Sequence, residues 1–140
     1  MSSRNFEMRL SCSYQDSKNT VVGLHSDVLR KGEWQAFELN ANSPGFLIFV
    51  YALLGCQHLY FRSNCAERDL ILESAQGVIS IETSEDWDIR KLQVSFEGKL
   101  KSGQPEDADI DYIVARMKQC PVSKNVIEPQ DSETTVRLQT

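Results

Sequence analysis

The sequence has no surplus of positive charge: 15 lysines and arginines stand against 20 aspartates and glutamates, giving a net charge of −5. Nucleic acid and anionic membrane both require a basic face, so neither is expected as a partner. No block of like charge, internal repeat or low-complexity segment is present. The opening stretch MSSRNFEMRL holds no apolar run of signal-peptide length, so a cytoplasmic location is expected. No C-x₂-C or H-x₃-H spacing occurs, and Cys56 and His58 cannot both point at one metal from a regular helix. No metal and no cofactor are therefore expected. The strings G-x-S-x-G and G-x₄-G-K are missing too, which removes serine-hydrolase and phosphate-loop chemistry. With only four cysteines and no sign of export, a structural disulfide framework is excluded, and any bond between thiols would be transient.

What is present is an ordinary globular composition, 41% hydrophobic and 25% charged, which makes one folded domain over residues 1–140 the expectation. The chain is organised around SPGFLIFVYALLGCQHLYFRSNC, Ser43 to about Cys65. Ser43-Pro44 reads as a helix start, with a capping hydroxyl followed by a residue suited to the first helical position. From Phe46 to Cys56 only Gly55 interrupts an apolar run. A helix apolar on every side belongs in an interior or a subunit interface. The run ends at Gln57-His58, short of the roughly 18–20 residues a bilayer needs, so a membrane span is not expected.

Before this helix, Phe6, Met8, Leu10, Cys12 and Tyr14 fall on alternate positions, the clearest strand signal in the chain. Gln15 to Asn19 has turn chemistry, Thr20 to Ser26 reads as a returning strand, Arg30 to Glu33 as a second turn and Trp34 to Leu39 as a third strand. After the helix, Glu67 to Gly77 carries the chain back, and Val78 to Glu82 and Ile89 to Leu100 form a hairpin around the acidic Ser84 to Asp88. Pro105 suits a first helical position, and Ile110, Ile113, Val114 and Met117 follow at helical spacing. A helical turn after Cys120-Pro121 and a closing strand, Thr134 to Gln139, complete a β-β-β-α-β-β-α-β layout. The fold class is thus α+β, a two-layer arrangement with helices on one face of an antiparallel sheet. A chain of this size cannot cover such a helix alone, so a homodimer packing its central helices together is expected.

Two cysteines carry the chemistry worth testing. Cys120 precedes a proline and a helical turn, where exposed amides and the dipole lower a thiol pKa. Cys56 sits mid-helix in apolar surroundings, which raise it. The residues alone leave open which of the two attacks, and a lone cysteine in an apolar helix is ordinarily packing. Cys65 reads as structural.

The string ARMKQCPVSKNV (Ala115 to Val126), with Ser43-Pro44, Gly55-Cys56 and the Ile89 to Leu100 strand in the same order, resembles the OsmC/Ohr family of osmotically inducible and organic hydroperoxide resistance proteins. The resemblance implies an intertwined homodimer and a thiol peroxidase for organic hydroperoxides. In it Cys56 attacks the O–O bond and becomes a sulfenic acid, Cys120 condenses with it to a disulfide, and an external dithiol, such as a lipoylated protein, reduces that bond. Phe46, Phe49, Leu53 and Tyr60, at helical spacing from Cys56, are the expected apolar lining of the substrate site at the dimer interface. In the family an arginine from the first strands and a glutamate near the start of the central helix activate the attacking thiol. Here no carboxylate lies between Pro44 and Cys56, the first turn offers Lys18, and Arg30, His25 and Glu38 match no motif position. A second reading follows from that departure: an OsmC-like protein with little or no catalysis that binds a small apolar ligand at the dimer interface.

Overall fold

A computed structural model describes residues 3–126. The first strand, β1 (Ser3–Gln15), sets the inner face of the sheet: Met8, Leu10, Cys12 and Tyr14 are buried, while Ser11 and Ser13 between them face outward. β2 (Thr20–Arg30) returns through a turn in which Asp16 and Asn19 take positive φ, a conformation that Asn and Asp tolerate best after glycine. β3 (Glu33–Ala36) follows the two-residue turn Lys31-Gly32, both at positive φ, as a tight hairpin requires. The strand is shorter than the expected Trp34 to Leu39. β4 (Ile71–Ser84) and β5 (Ile89–Ser102) complete a five-stranded antiparallel sheet in the order β3-β2-β1-β4-β5.

β4 corrects the expectation of a connection followed by a short strand. It pairs along its length with β1 on one side and β5 on the other, burying Leu72, Ala75, Ile79 and Ile81. Gly77 lies in the same row because the Phe96 ring occupies the space its Cβ would take. That missing side chain is why the alternation is faint in the sequence.

The central helix, α1 (Gly45–Glu67), lies on the inner face. It starts one residue later than expected, and Ser43 does not cap it. The Ser43 hydroxyl accepts from the Asn40 N–H (3.1 Å) and donates to the Glu38 carbonyl (3.3 Å), which closes the preceding turn instead. Val50, Leu53, Leu54 and Phe61 pack against the sheet, each contributing roughly 1.5–3 kcal/mol of burial. At 23 residues the helix is long and apolar enough to cross a bilayer, longer than its apolar run suggests. Here its sheet-facing side forms the core, and its other side is only half-covered.

The second helix, α2 (Asp107–Met117), packs on α1. Pro105 stands before its cap rather than inside it. The cap is Glu106, whose N–H donates to Asp109 Oδ2 at 3.0 Å. Of the expected apolar stripe, Ile113 and Met117 are buried, whereas Ile110 and Val114 are 49% and 44% exposed. The expected strand Thr134 to Gln139 lies outside the described residues.

Candidate functional site

Cys56 points away from the sheet, on the half-covered side of α1. What covers it is the end of α2. The helix stops at Met117, the Cys120 N–H bonds back to the Met117 carbonyl (3.2 Å), and a 3-10 turn, Ser123–Asn125, starts with the Lys124 N–H on the Cys120 carbonyl (3.0 Å). This tight reversal buries Cys120 completely and turns the backbone of Val122 toward α1. The Cys120 thiol and the Val122 N–H are thereby close enough to bear on the Cys56 thiol. Both cysteines are free thiols. Neighbouring thiols can join in a disulfide, provided the geometry permits and an oxidant removes the electrons.

A polar link completes the site. Gln57 Nε2 donates to Ser123 Oγ at 2.8 Å, Ser123 Oγ lies 2.9 Å from Cys120 Sγ, and the Ser123 N–H points at the same sulfur at 3.3 Å. The sequence marked Ser123 only as part of Cys-Pro-Val-Ser, and Gln57 only as the end of an apolar run. A polar residue adjoining the helix cysteine was the available signal for the latter.

Burial pushes the Cys56 thiol up, the Val122 N–H works against that, and the neighbouring Cys120 sulfur adds to the rise. No cationic side chain among the described residues contributes. The charged residues of the first strands lie elsewhere. Arg9 is paired with Asp27 (2.8 Å) and lies over the Trp34 ring (4.5 Å), and His25 is paired with the same carboxylate (2.7 Å). Arg9 belongs to the alternate row of β1, opposite to the buried side chains that face α1.

The other two cysteines have different surroundings. Cys12 and Cys65 are core residues at 6% and 3% exposure. Burial raises both, Cys65 to about 12. His58 faces the core, away from Cys56, and bonds the Tyr14 hydroxyl.

Among the four expected lining residues, Phe46 packs on Phe6, Phe49 and Trp87. Leu53 is fully buried, and Phe49 and Tyr60 are partly covered. None lines a cleft of about 1070 Å³ among the described residues, which opens between α1, α2, β4 and β5. Phe61, Leu92, Val94, Phe96, Ile113 and Met117 form its apolar wall, with Gln57 and Ser123 contributing polar atoms. Among the described residues, no three His, Cys, Asp or Glu side chains converge as metal ligands.

A five-stranded antiparallel sheet, a long helix on its inner face carrying one cysteine, and a second helix delivering another to it define an α+β protein of OsmC-like fold. Among solved structures the chain is similar to the crystal structure of an OsmC-like hydroperoxide resistance protein from Jannaschia sp. CCS1. The TM-score is 0.64 at 9% sequence identity, covering 96% of this chain and 94% of that one. No family model matches the sequence, and no curated protein matches it either.

Proposed function

We propose that the chain is a thiol-dependent peroxidase for apolar organic hydroperoxides, with Cys56 as the attacking thiol and Cys120 as the resolving one. The observation that carries this reading is that the two thiols, one from the middle of α1 and one from the turn after α2, are near enough to influence each other's ionisation. A sulfenic acid formed on Cys56 meets a second thiol without any large motion, and that condensation protects it from further oxidation. An external dithiol, such as a lipoylated protein, then returns the pair to thiols. The half-exposed Ile110 and Val114 and the half-covered side of α1 support a homodimer. In it, Phe49 and Tyr60 lie toward the Cys56 side of the helix and form the apolar wall of the substrate site, with Phe46 at its sheet edge and Leu53 behind. A cytoplasmic location, without nucleic acid or membrane as partner, completes the proposal.

The test is peroxide loss with cumene hydroperoxide and dithiothreitol. Wild type is expected to consume peroxide catalytically and to yield a Cys56–Cys120 link by mass spectrometry after mild oxidation. Cys56→Ser should reduce consumption to the rate of dithiothreitol alone; equal rates for the two proteins would refute the peroxidase.

A second reading has an observation of its own. The lack of a cation at Cys56 among the described residues, together with an apolar cleft of about 1070 Å³, favours a protein that binds a small apolar ligand with little catalysis. Saturable binding of an apolar fluorophore by a protein inert to peroxide would select it.

A further inference from the structure

The turn that follows α2 satisfies its backbone within itself. The Cys120 N–H bonds the Met117 carbonyl (3.2 Å), Lys124 the Cys120 carbonyl (3.0 Å), Asn125 the Val122 carbonyl (3.2 Å) and Val126 the Ser123 carbonyl (3.2 Å), while Asn125 Nδ2 closes on the Pro121 carbonyl (2.6 Å). None of these bonds reaches α1. Val122 and Val126 pack on the core and Cys120 is fully buried, but apolar contact has no direction and lets a short turn slide or rotate. Among the described residues one side chain–side chain hydrogen bond crosses from this turn to α1, from Gln57 Nε2 to Ser123 Oγ at 2.8 Å. Its α1 end is the residue next to Cys56. At its other end the Cys120 thiol donates to Ser123 Oγ (2.9 Å), and the Ser123 N–H returns a bond to Cys120 Sγ (3.3 Å). The serine oxygen thus accepts from both cysteine-bearing segments, filling the two acceptor positions of a hydroxyl. Packing alone does not ask for an amide at position 57. Gln57 shares the cleft wall with Phe61, Ile113 and Met117, a lining that an apolar side chain would continue. A half-buried hydrogen bond adds little net stability, since water replaces it when it breaks; what it fixes is orientation.

We propose that Gln57 is a positioning residue for the thiol pair: through Ser123 it fixes the turn so that Cys120 meets a sulfenic acid on Cys56. The inference rests on the peroxidase reading and adds to it the group that decides what becomes of the oxidised thiol. Cys56 attacks the distal oxygen of the hydroperoxide, the O–O bond breaks, and the products are Cys56 sulfenic acid and an alcohol. Two reactions then compete for that sulfenic acid. In one, the Cys120 sulfur displaces the hydroxyl, an S–S bond replaces S–O, and water leaves with the Cys120 proton. In the other, a second hydroperoxide delivers its distal oxygen, giving sulfinic acid and another alcohol. The first is intramolecular, and its rate follows the fraction of time the turn holds Cys120 in line. The second follows peroxide concentration. Gln57 acts by holding Ser123, and Ser123 is bonded to Cys120.

The partition is read by intact-protein mass spectrometry after reduced protein meets excess cumene hydroperoxide: the disulfide has lost two hydrogens, and the sulfinic acid has gained two oxygens. Both fates start from one sulfenic acid, so a variant that merely slows the first step leaves their ratio as it was. Gln57→Met, which keeps the length and removes the donor, should raise sulfinic acid relative to disulfide about fivefold, the factor expected for one ordinary hydrogen bond. Ser123→Ala should do at least as much, and adding Gln57→Met to it should change nothing further, because both substitutions remove the same bond. Ser123→Thr, which keeps the hydroxyl, should recover most of what Ser123→Ala loses. An unmoved ratio in Gln57→Met, or effects of the two substitutions that multiply, overturns the proposal. If the wild type consumes no peroxide, the peroxidase reading falls, and the positioning is read with diamide instead. One thiol adds across its N=N bond, and the second displaces the hydrazine to form the disulfide. Closure about fivefold slower in Gln57→Met than in wild type upholds the placement of Cys120 by Gln57, and equal closure rates overturn it.

Discussion

Tyr14 Oη lies 2.7 Å from His58 Nε2 inside the core, joining β1 to the middle of α1. Burial raises the phenol, so it keeps its proton. The His58 ring, 4% exposed, also stacks on Phe96 with the planes 10° apart. An imidazolium has no place there. Burial pushes His58 down to about 4, and the Arg62 charge adds to the fall.

In the unfolded chain the same imidazole titrates near 6.5, so between that pH and about 4 the unfolded state binds more protons. The His58 contribution is complete above pH 6.5 and is lost as the pH falls toward 4, by about 3 kcal/mol in total. Urea midpoints measured at pH 7 and pH 5 should show the loss in wild type and much less of it in His58→Phe. The Asp27 and Glu73 carboxylates, both held below their usual range, lose their stabilising effect only at lower pH and leave this window clear. Identical wild-type midpoints at the two pH values would mean that His58 is not the buried neutral group described.

Asn19 is a second buried polar anchor. Its amide donates to the carbonyls of Arg62 (3.0 Å) and Leu70 (3.1 Å) and accepts from the Leu72 N–H (2.8 Å), tying the first hairpin turn to the end of α1 and the start of β4. Asn19→Leu removes the side-chain partner of the Leu72 N–H and of the Leu70 carbonyl, and a second bond to the helical Arg62 carbonyl. A loss of about 2–4 kcal/mol in chemical denaturation is expected, with faster amide exchange at Leu72. A change within measurement error would show that water replaces the amide.

Gly77 is required by its neighbour. The Phe96 ring lies where a Cβ would go, and it stacks on Phe61 at 4.8 Å as well as on His58. Gly77→Ala should displace that ring, destabilise the fold by roughly 1–3 kcal/mol and alter the cleft wall. Pairing it with Phe96→Leu should recover part of the loss. A Gly77→Ala protein as stable as wild type would contradict the packing.

The parts of this fold legible in the sequence are those where one physical constraint acts alone. β1 alternates because one face is covered and the other is not, and Lys31-Gly32 turns because Gly32 takes positive φ without steric cost. β4 was obscured where the core wanted no side chain at Gly77, and the start of α1 was misplaced because the Ser43 hydroxyl found a nearer partner. At the candidate site, cysteine positions and their local strings were readable. The Ser123 N–H on Cys120 belongs to the local Cys-Pro-Val-Ser turn, but the approach of that turn to Cys56 depends on how α2 docks on α1, which no local pattern encodes. Helical spacing grouped Leu53 with Cys56 but did not reveal that the core seals it.

Cys12 and Cys65, walled into the core with their protons firmly held, act as silent spectators toward an added oxidant. If Cys56 and Cys120 form the proposed disulfide, intact-protein mass spectrometry reads it as a loss of two hydrogens against two cysteines expected to stay unchanged.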